Sequence, residues 1–150
     1  MHHLPRKLSA DELEKLFEGR TRFVERLAEQ PNPLGAARGL LAALPEDELL
    51  EALNAHPRIG AARLSPMSAR EQGGPDDPAV LAELARLNQA YEARFGFRFV
   101  VFVNRRSRSE ILRELRRRLT RTREEEIQTA LDDLCAIALD RYRTATRRAP

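Results

Sequence analysis

The chain contains 150 residues, a length typical of one domain, and its 42% hydrophobic residues are ordinary for a globular protein. The net charge is only +3, and acidic and basic residues are interleaved, which argues against a surface dedicated to a polyanion. A single cysteine excludes an intramolecular disulfide framework, and no apolar run reaches the roughly 18 residues that cross a membrane. Because the first residues also lack the apolar core of a signal peptide, we expect a soluble, cytoplasmic protein.

Capping and turn residues divide the first half of the sequence into four predicted helices. Residues 9–12 form a capping box that opens the first, and residues 23–27 supply the apolar stripe of the second. Asn32 is the predicted N-cap of the third helix, and Pro45 opens the fourth. We expect the fourth helix to stop before Pro57, because a proline disfavours helical geometry in the residue that precedes it.

The second half begins with an irregular stretch and continues with three predicted helices. Residues 58–77 are rich in glycine, proline and small side chains, which is typical of a connector or of a site. An aspartate and a proline at 77–78 open a long helix that ends at Gly96. Residues 107–110 and 122–125 carry the signals that open the last two helices.

Residues 97–103 form the most β-like run of the sequence, and no other run offers a partner strand. Since a lone strand is not stable, we interpret this run as a buried extended connector. The last helix is predicted to end at about Arg143. The sequence therefore predicts a compact all-α protein of about seven or eight helices, with residues 1–150 as one domain and flexible tails at 1–8 and 144–150.

His56 is the only histidine outside the first three residues, and histidine is the usual side chain for proton transfer near neutral pH. It follows the negative end of the fourth helix, which favours a protonated ring by up to about 1 kcal/mol. That position suits a general acid. The alternative is a histidine at a helix end with no chemical role, and the local residues alone favour this alternative.

A second candidate lies in the irregular stretch and consists of Ser68, Ala69, Arg70, Glu71 and Gln72. A serine three residues before a glutamate is the pattern of a capping box, and a capping role is the favoured interpretation of this stretch alone. The same turn offers a hydroxyl, a carboxylate and a carboxamide to a polar ligand. The two roles are compatible, because Ser68 can cap the turn while Glu71 and Gln72 face a pocket.

Arg141 is the third candidate, because it continues the apolar stripe of the last helix. Ile127, Leu131, Leu134 and Ala138 follow one another at offsets of four, three and four, and three further residues lead to Arg141. A buried guanidinium needs a carboxylate or a bound anion, since burying it unpaired is costly. The alternative is that Arg141 reaches water at the helix end, and the sequence does not decide between them.

Other motifs carry little chemistry. Histidine, cysteine and carboxylate residues do not cluster at metal-ligand spacing, so no metal site is predicted, and no glycine-rich phosphate loop is present. Cys135 falls off the apolar stripe of its helix and is not expected to be a nucleophile. The arginine run 116–118 is interpreted as a solvated helix face beside the acidic run 124–126, with phosphate binding as the alternative.

Several stretches together resemble the OHCU decarboxylase family of urate degradation, where OHCU is 2-oxo-4-hydroxy-4-carboxy-5-ureidoimidazoline. The resemblance extends from about residue 16 to residue 142, and its motifs follow the order of the family. Each motif is weak alone, whereas their joint occurrence is specific. The matching stretches are residues 55–60 (AHPRIG), 68–72 (SAREQ), 87–91 (LNQAY), 94–101 (RFGFRFVV), 109–112 (SEIL) and 137–142 (IALDRY).

The resemblance implies an all-helical homodimer that decarboxylates OHCU to (S)-allantoin without a cofactor or a metal, with no nucleic-acid or membrane partner. It implies that His56 is the proton donor and Glu71 the catalytic carboxylate, and that residues 99–103 contact the substrate through free backbone amides and carbonyls. The substrate-binding residues that it implies are Pro57, Ser68, Ala69, Arg70, Glu71, Gln72, Phe99, Val100, Val101, Phe102, Val103 and Arg141.

Two other functions remain open on the sequence. One is an arginine-rich helical module that binds nucleic acid, and the other is an inactive relative that serves as an interaction scaffold. The first predicts binding to nucleic acid that depends steeply on salt. Decarboxylation of OHCU by the chain would exclude the second.

Overall fold

The computed structural model describes residues 7–59 and 77–148, and within these ranges the protein is helical and contains no β-strand. The seven described helices confirm the all-α prediction. In chain order they are α1 (Ala10–Leu16), α2 (Arg22–Leu27), α3 (Pro33–Ala43), α4 (Glu46–Asn54), α5 (Pro78–Phe95), α6 (Arg108–Arg118) and α7 (Arg123–Arg148).

The chain divides into two compact units, one formed by Met1–His56 with Leu131–Pro150 and the other by Pro57–Ala130. In the first unit, α2 packs against α1, α3 and α4. Its core is aliphatic around one aromatic pair, in which Phe17 and Phe23 meet edge to face with ring centroids 5.1 Å apart. Apolar burial of this kind supplies most of the stabilisation that short helices need, because helices of six to eleven residues are marginal alone.

In the second unit, α5 packs against α6. Tyr91 lies at the centre of an aromatic cluster, with ring centroids 4.6 Å from Phe95, 5.8 Å from Phe97 and 5.3 Å from Phe99. Residues 97–103 pair with no strand in the described part of the chain, and five of these seven residues are buried. The prediction of a buried extended connector is therefore confirmed.

Four of the predicted helix ends are present in the described residues. Ser9 and Ser107 each form a capping box, in which the hydroxyl accepts the amide three residues on and the glutamate there accepts the serine amide. Asn32 caps α3, and Gly96 ends α5 in the left-handed conformation with φ 83°. These positions were predictable because a cap depends on its immediate neighbours.

The described structure continues into both predicted tails. Helix α7 ends at Arg148, five residues beyond the predicted end at Arg143, so residues 144–148 are helical. At the other end Leu8 is buried, and Lys7 donates a hydrogen bond to the Ala28 carbonyl at 2.5 Å. Residues 7 and 8 are thus attached to the first unit. The free energy gained by burying the Leu8 side chain exceeds the conformational entropy lost when these two residues are ordered.

Candidate functional site

His56 lies directly after α4, where the sequence placed it. The helix ends at Asn54, and the His56 amide donates to the Leu53 carbonyl at 3.4 Å in a last tightened turn. The His56 side chain is buried, with 6% of the residue exposed. A helix end followed by Pro57 therefore delivers an imidazole into the protein interior.

Burial determines the charge of His56. It lowers the pKa of the imidazole from 6.5 to about 4, the Arg141 guanidinium lowers it further, and Glu18 and the Ala52 backbone oppose both effects. A shift of this size corresponds to roughly 3 kcal/mol, which exceeds the contribution of about 1 kcal/mol or less from a helix end. The helix end still favours the protonated ring, as the Ala52 backbone does, but burial outweighs this effect and His56 is neutral at pH 7.

Arg141 is paired within the first unit. Its side chain is 2% exposed, Nη2 lies 3.1 Å from Glu18 Oε1, and Nη1 donates to the Lys15 carbonyl at 3.1 Å. The stripe argument is thus confirmed, and the alternative of a side chain that reaches water is wrong. The pairing leaves the guanidinium fixed at two points by the end of α1.

Glu18 is the member of this group that the sequence interpretation missed. It follows α1 with φ 67°, in the left-handed region, and its side chain is 15% exposed. His56, Arg141 and Glu18 therefore act on one another inside a single unit. The sequence offered one indirect signal. Gly19 was the predicted stop of this helix, and the left-handed residue after a helix is usually glycine, whereas here it is the preceding residue, Glu18.

In the second unit, α5 fixes the residues that follow Pro57. Glu92 receives two hydrogen bonds from Arg58, at 2.6 and 2.9 Å, and the Asn88 amide donates to the Ile59 carbonyl at 3.3 Å. Asn88 and Glu92 are four residues apart and share one face of the helix. Arg58 also lowers the pKa of the Glu92 carboxyl, so this ion pair persists at neutral pH.

The connector 99–103 is anchored through its carbonyls. The Val100 carbonyl accepts a hydrogen bond from Arg118 at 3.0 Å, and Arg106 donates to the carbonyls of Phe102 and Val103 at 2.6 and 3.1 Å. The implied free carbonyls are therefore a wrong expectation at these three residues. Each carbonyl oxygen has a second lone pair, so these contacts do not prevent it from accepting a further hydrogen bond.

Arg118 also corrects the interpretation of the arginine run as a solvated face. Its side chain is fully buried, and its Nε donates to Glu126 Oε1 at 2.8 Å. Tyr91 donates to the same carboxylate oxygen at 2.7 Å, and Arg121 donates to the other oxygen at 2.9 Å. Only Arg116 and Arg117 of the run are exposed.

Two further predictions concern reactive groups. Burial raises the pKa of the Cys135 thiol to about 11, which supports the expectation that it is not a nucleophile. In the described ranges no three histidine, cysteine or carboxylate side chains are placed to hold a metal ion.

No described helix is long and apolar enough to cross a membrane.

Ser68, Ala69, Arg70, Glu71 and Gln72 lie outside the described residues, so their position relative to the other candidates stays a prediction. The structure brings His56 and Arg141 together in the first unit, whereas residues 99–103 belong to the second. The sequence interpretation did not single out three described residues that fix these candidates. Glu18 pairs with Arg141, and Arg118, itself paired with Glu126, donates to the carbonyl of Val100.

Comparison with known proteins gives a family. The family model described as OHCU decarboxylase matches residues 2–143. The uric acid degradation bifunctional protein PucL of Bacillus subtilis (strain 168) is 34% identical over 112 residues, which cover 71% of this chain and 22% of that protein. The 2-oxo-4-hydroxy-4-carboxy-5-ureidoimidazoline decarboxylase of Halalkalicoccus jeotgali is 33% identical over 106 residues, which cover 67% of this chain and 60% of that protein.

The chain spans about a quarter of the length of the bifunctional relatives that it matches. A crystal structure of OHCU decarboxylase in the presence of (S)-allantoin shares the fold, with a TM-score of 0.72, 24% identity, and coverage of 87% of this chain and 94% of that one. The family model covers the whole stretch, from about residue 16 to residue 142, that carries the motifs. The chain belongs to the OHCU decarboxylase family.

Proposed function

We propose that the protein decarboxylates OHCU to (S)-allantoin and CO2 in urate degradation, without a cofactor. The observation that carries the proposal is the family match over residues 2–143, in a chain whose one internal histidine is buried and electrostatically coupled to Arg141. The relatives' names support the same chemistry. A buried, neutral histidine beside a fixed guanidinium is a setting for proton transfer rather than for packing alone.

The substrate itself supplies the electron sink. Its carboxylate is on a carbon next to a C=N bond, so the electron pair released with CO2 forms a carbon–carbon double bond and the imine nitrogen gains a proton. The hydroxyl on the first carbon then loses its proton and becomes a carbonyl. The neighbouring carbon gains a proton, and its stereochemistry is set by the face on which that proton arrives. The reaction consumes one proton for each carboxylate lost.

His56 is the group that we assign to the hydroxyl proton. Its depressed pKa, about 4, makes it neutral at physiological pH, so it accepts that proton first and becomes a donor only afterwards. The family resemblance implied a proton donor, and the burial of the ring adds this order of events. Arg141 holds a fixed positive charge near the ring and attracts the anionic substrate.

The remaining assignments follow from the resemblance. Glu71 is the catalytic carboxylate, Glu71, Gln72 and Arg141 orient the ureido and ring groups, and Ser68 belongs to the substrate-binding turn. By the resemblance, the connector 99–103 contacts the substrate through its backbone, and the arginine contacts to its carbonyls keep it in one conformation. We further propose that the protein is a cytoplasmic homodimer that acts on this small molecule and binds neither nucleic acid nor membranes.

The alternative of a nucleic-acid-binding module is weakened by the pairing of the arginines. Arg22, Arg26 and Arg58 form ion pairs with carboxylates, and so does the exposed Arg117. Binding to a polyanion would require these pairs to be broken. We expect no gel shift of duplex DNA or RNA even at low salt, and a shift that weakens steeply with salt would favour the module.

The decisive experiment follows freshly generated OHCU by circular dichroism. We expect the purified protein to produce optically active allantoin faster than the spontaneous decay, which gives a racemate. Cys135→Ser is a matched control that should keep full activity, because the thiol of Cys135 is protonated and half-buried. A rate and an optical signal equal to those in buffer would contradict the proposal.

A further inference from the structure

The end of α1 places a glutamate where a glycine is favoured. The Phe17 amide donates to the Leu13 carbonyl in the last regular hydrogen bond of the helix, and the Gly19 amide donates to the Glu14 carbonyl, both at 2.9 Å. The second of these spans six residues, as the outer hydrogen bond of a Schellman ending does. Glu18 lies between Phe17 and Gly19 with φ 67°. The left-handed conformation costs a side-chain-bearing residue about 1–2 kcal/mol, and glycine adopts it without that cost.

The contacts of Glu18 give a reason for this cost. Its carboxylate lies 3.1 Å from Arg141 Nη2, while the Lys15 carbonyl, three residues earlier, accepts from Arg141 Nη1 at 3.1 Å. One turn of chain thus holds two nitrogens of the same guanidinium. Backbone strain retained beside a proposed site is an indication that the strained residue serves the site.

Resting on the proposed function, we propose that Glu18 is a positioning residue that fixes the Arg141 guanidinium and offsets its charge at His56. Two charged groups act on the imidazole in the described part of the chain, Arg141 from α7 and Glu18 from the end of α1. Without Glu18 the effect of the Arg141 charge on the ring would be less strongly opposed. Arg141 would also lose the carboxylate oxygen that lies 3.1 Å from its Nη2.

Glu18→Gln is the informative variant, because it keeps the side-chain length and removes the charge. We expect kcat/KM to fall by roughly ten- to hundredfold, since misplacement of a catalytic group by about 1 Å has effects of that size. Glu14→Gln is the matched control on the same helix, because Glu14 pairs with the exposed Arg20 and not with Arg141. It should stay within about twofold of the parent chain.

A double-variant comparison separates positioning from a structural role. If Glu18 acts through Arg141, Glu18→Gln should reduce kcat/KM strongly in the parent chain and by less than about threefold in an Arg141→Gln background. An equal reduction in both backgrounds would overturn the inference. So would a Glu18→Gln enzyme whose kcat/KM stays within about twofold of the parent.

Glu18→Gly is the control for a folding defect, because it removes the left-handed strain together with the carboxylate. We expect a melting temperature close to that of the parent chain and the same loss of kcat/KM as in Glu18→Gln. An inactive variant that melts far lower would instead indicate a structural role, and would overturn the inference.

An NMR titration of His56 tests the inference independently of the proposed enzyme activity. The His56 pKa should rise in Arg141→Gln and fall in Glu18→Gln, while Glu14→Gln leaves it unchanged. A parent chain that fails to accelerate OHCU decay would contradict the proposed function, and these shifts would still show the coupling. Titration curves identical in all three variants would overturn the coupling itself.

Discussion

Arg118 donates a hydrogen bond of 3.0 Å to the carbonyl of Val100, and both residues are buried. The guanidinium also lies over the ring of Phe99, with its carbon 4.7 Å from the ring centroid, and it is paired with the buried Glu126. A buried charge therefore holds in place a connector that has no partner strand among residues 7–59 and 77–148. This arrangement explains how one extended segment persists in a helical protein.

Replacing Arg118 by methionine should destabilise the protein strongly, because it leaves Glu126 without its closest cationic partner and frees the Val100 carbonyl. Breaking a buried ion pair on one side typically costs roughly 3–5 kcal/mol. Arg117→Met is the matched control from the same helix, because Arg117 is exposed and should contribute less than about 1 kcal/mol. Urea denaturation of the two variants measures this, and equal midpoints would contradict the buried network.

Replacing Ser107 by alanine should cost about 1 kcal/mol of stability, since the substitution removes the hydroxyl that accepts the Glu110 amide. Ser109→Ala is a control two residues away, in the first turn of the same helix and exposed. It should change the free energy of unfolding by less than about 0.5 kcal/mol. Thermal denaturation followed by far-ultraviolet circular dichroism compares the two, and a larger loss in Ser109→Ala would contradict the cap.

Stability should fall as the pH is lowered from 7 to 5, and His56 should account for the fall. Its folded pKa of about 4 lies below the ordinary 6.5, so the unfolded chain binds the proton more strongly. The contribution of His56 is complete above pH 6.5 and is lost as the pH falls toward 4. Between pH 6.5 and 5 the loss is roughly 2 kcal/mol, at about 1.4 kcal/mol per pH unit.

The carboxylates affect stability only at lower pH, so the change in stability between pH 7 and 5 can be assigned to His56. Arg58 and Arg117 lower the pKa values of Glu92 and Glu114 below the ordinary 4.5, so the stability from these groups is lost only as the pH falls below that value. In His56→Gln the fall in the free energy of unfolding between pH 7 and 5 should largely disappear. Urea midpoints at the two pH values measure it, and an unchanged slope would contradict the burial of a neutral imidazole.

The residues that could be predicted from sequence are those whose role depends on near neighbours. Ser9, Ser107 and Gly96 cap helices through contacts within a few residues, so their pattern was sufficient. Arg141 could be predicted to be paired because its stripe continues unbroken from the core. The same argument applied to α6 would have led from Ile111 through Leu115, at offsets of four and three, to Arg118.

The charge of His56 and the role of Glu18 could not be predicted, because both depend on residues far along the chain. The helix end has a local and weak effect on the pKa of His56, whereas the burial of His56, which has the largest effect on that pKa, depends on the whole fold. Glu18 meets Arg141 across 123 residues of sequence, and no local motif encodes that contact. The family resemblance named the ligand, and the structure supplied the neutral state of the imidazole.

The central claim is that His56 transfers the proton in decarboxylation of OHCU, and kcat/KM of His56→Gln tests it most directly. The predicted result is a loss of at least about a hundredfold, the usual contribution of a positioned acid or base, together with loss of optical activity in the allantoin formed. His3→Gln, which replaces one of the two histidines among the first three residues, should retain full activity. A folded His56→Gln protein that converts OHCU to (S)-allantoin at the parent rate would contradict the claim.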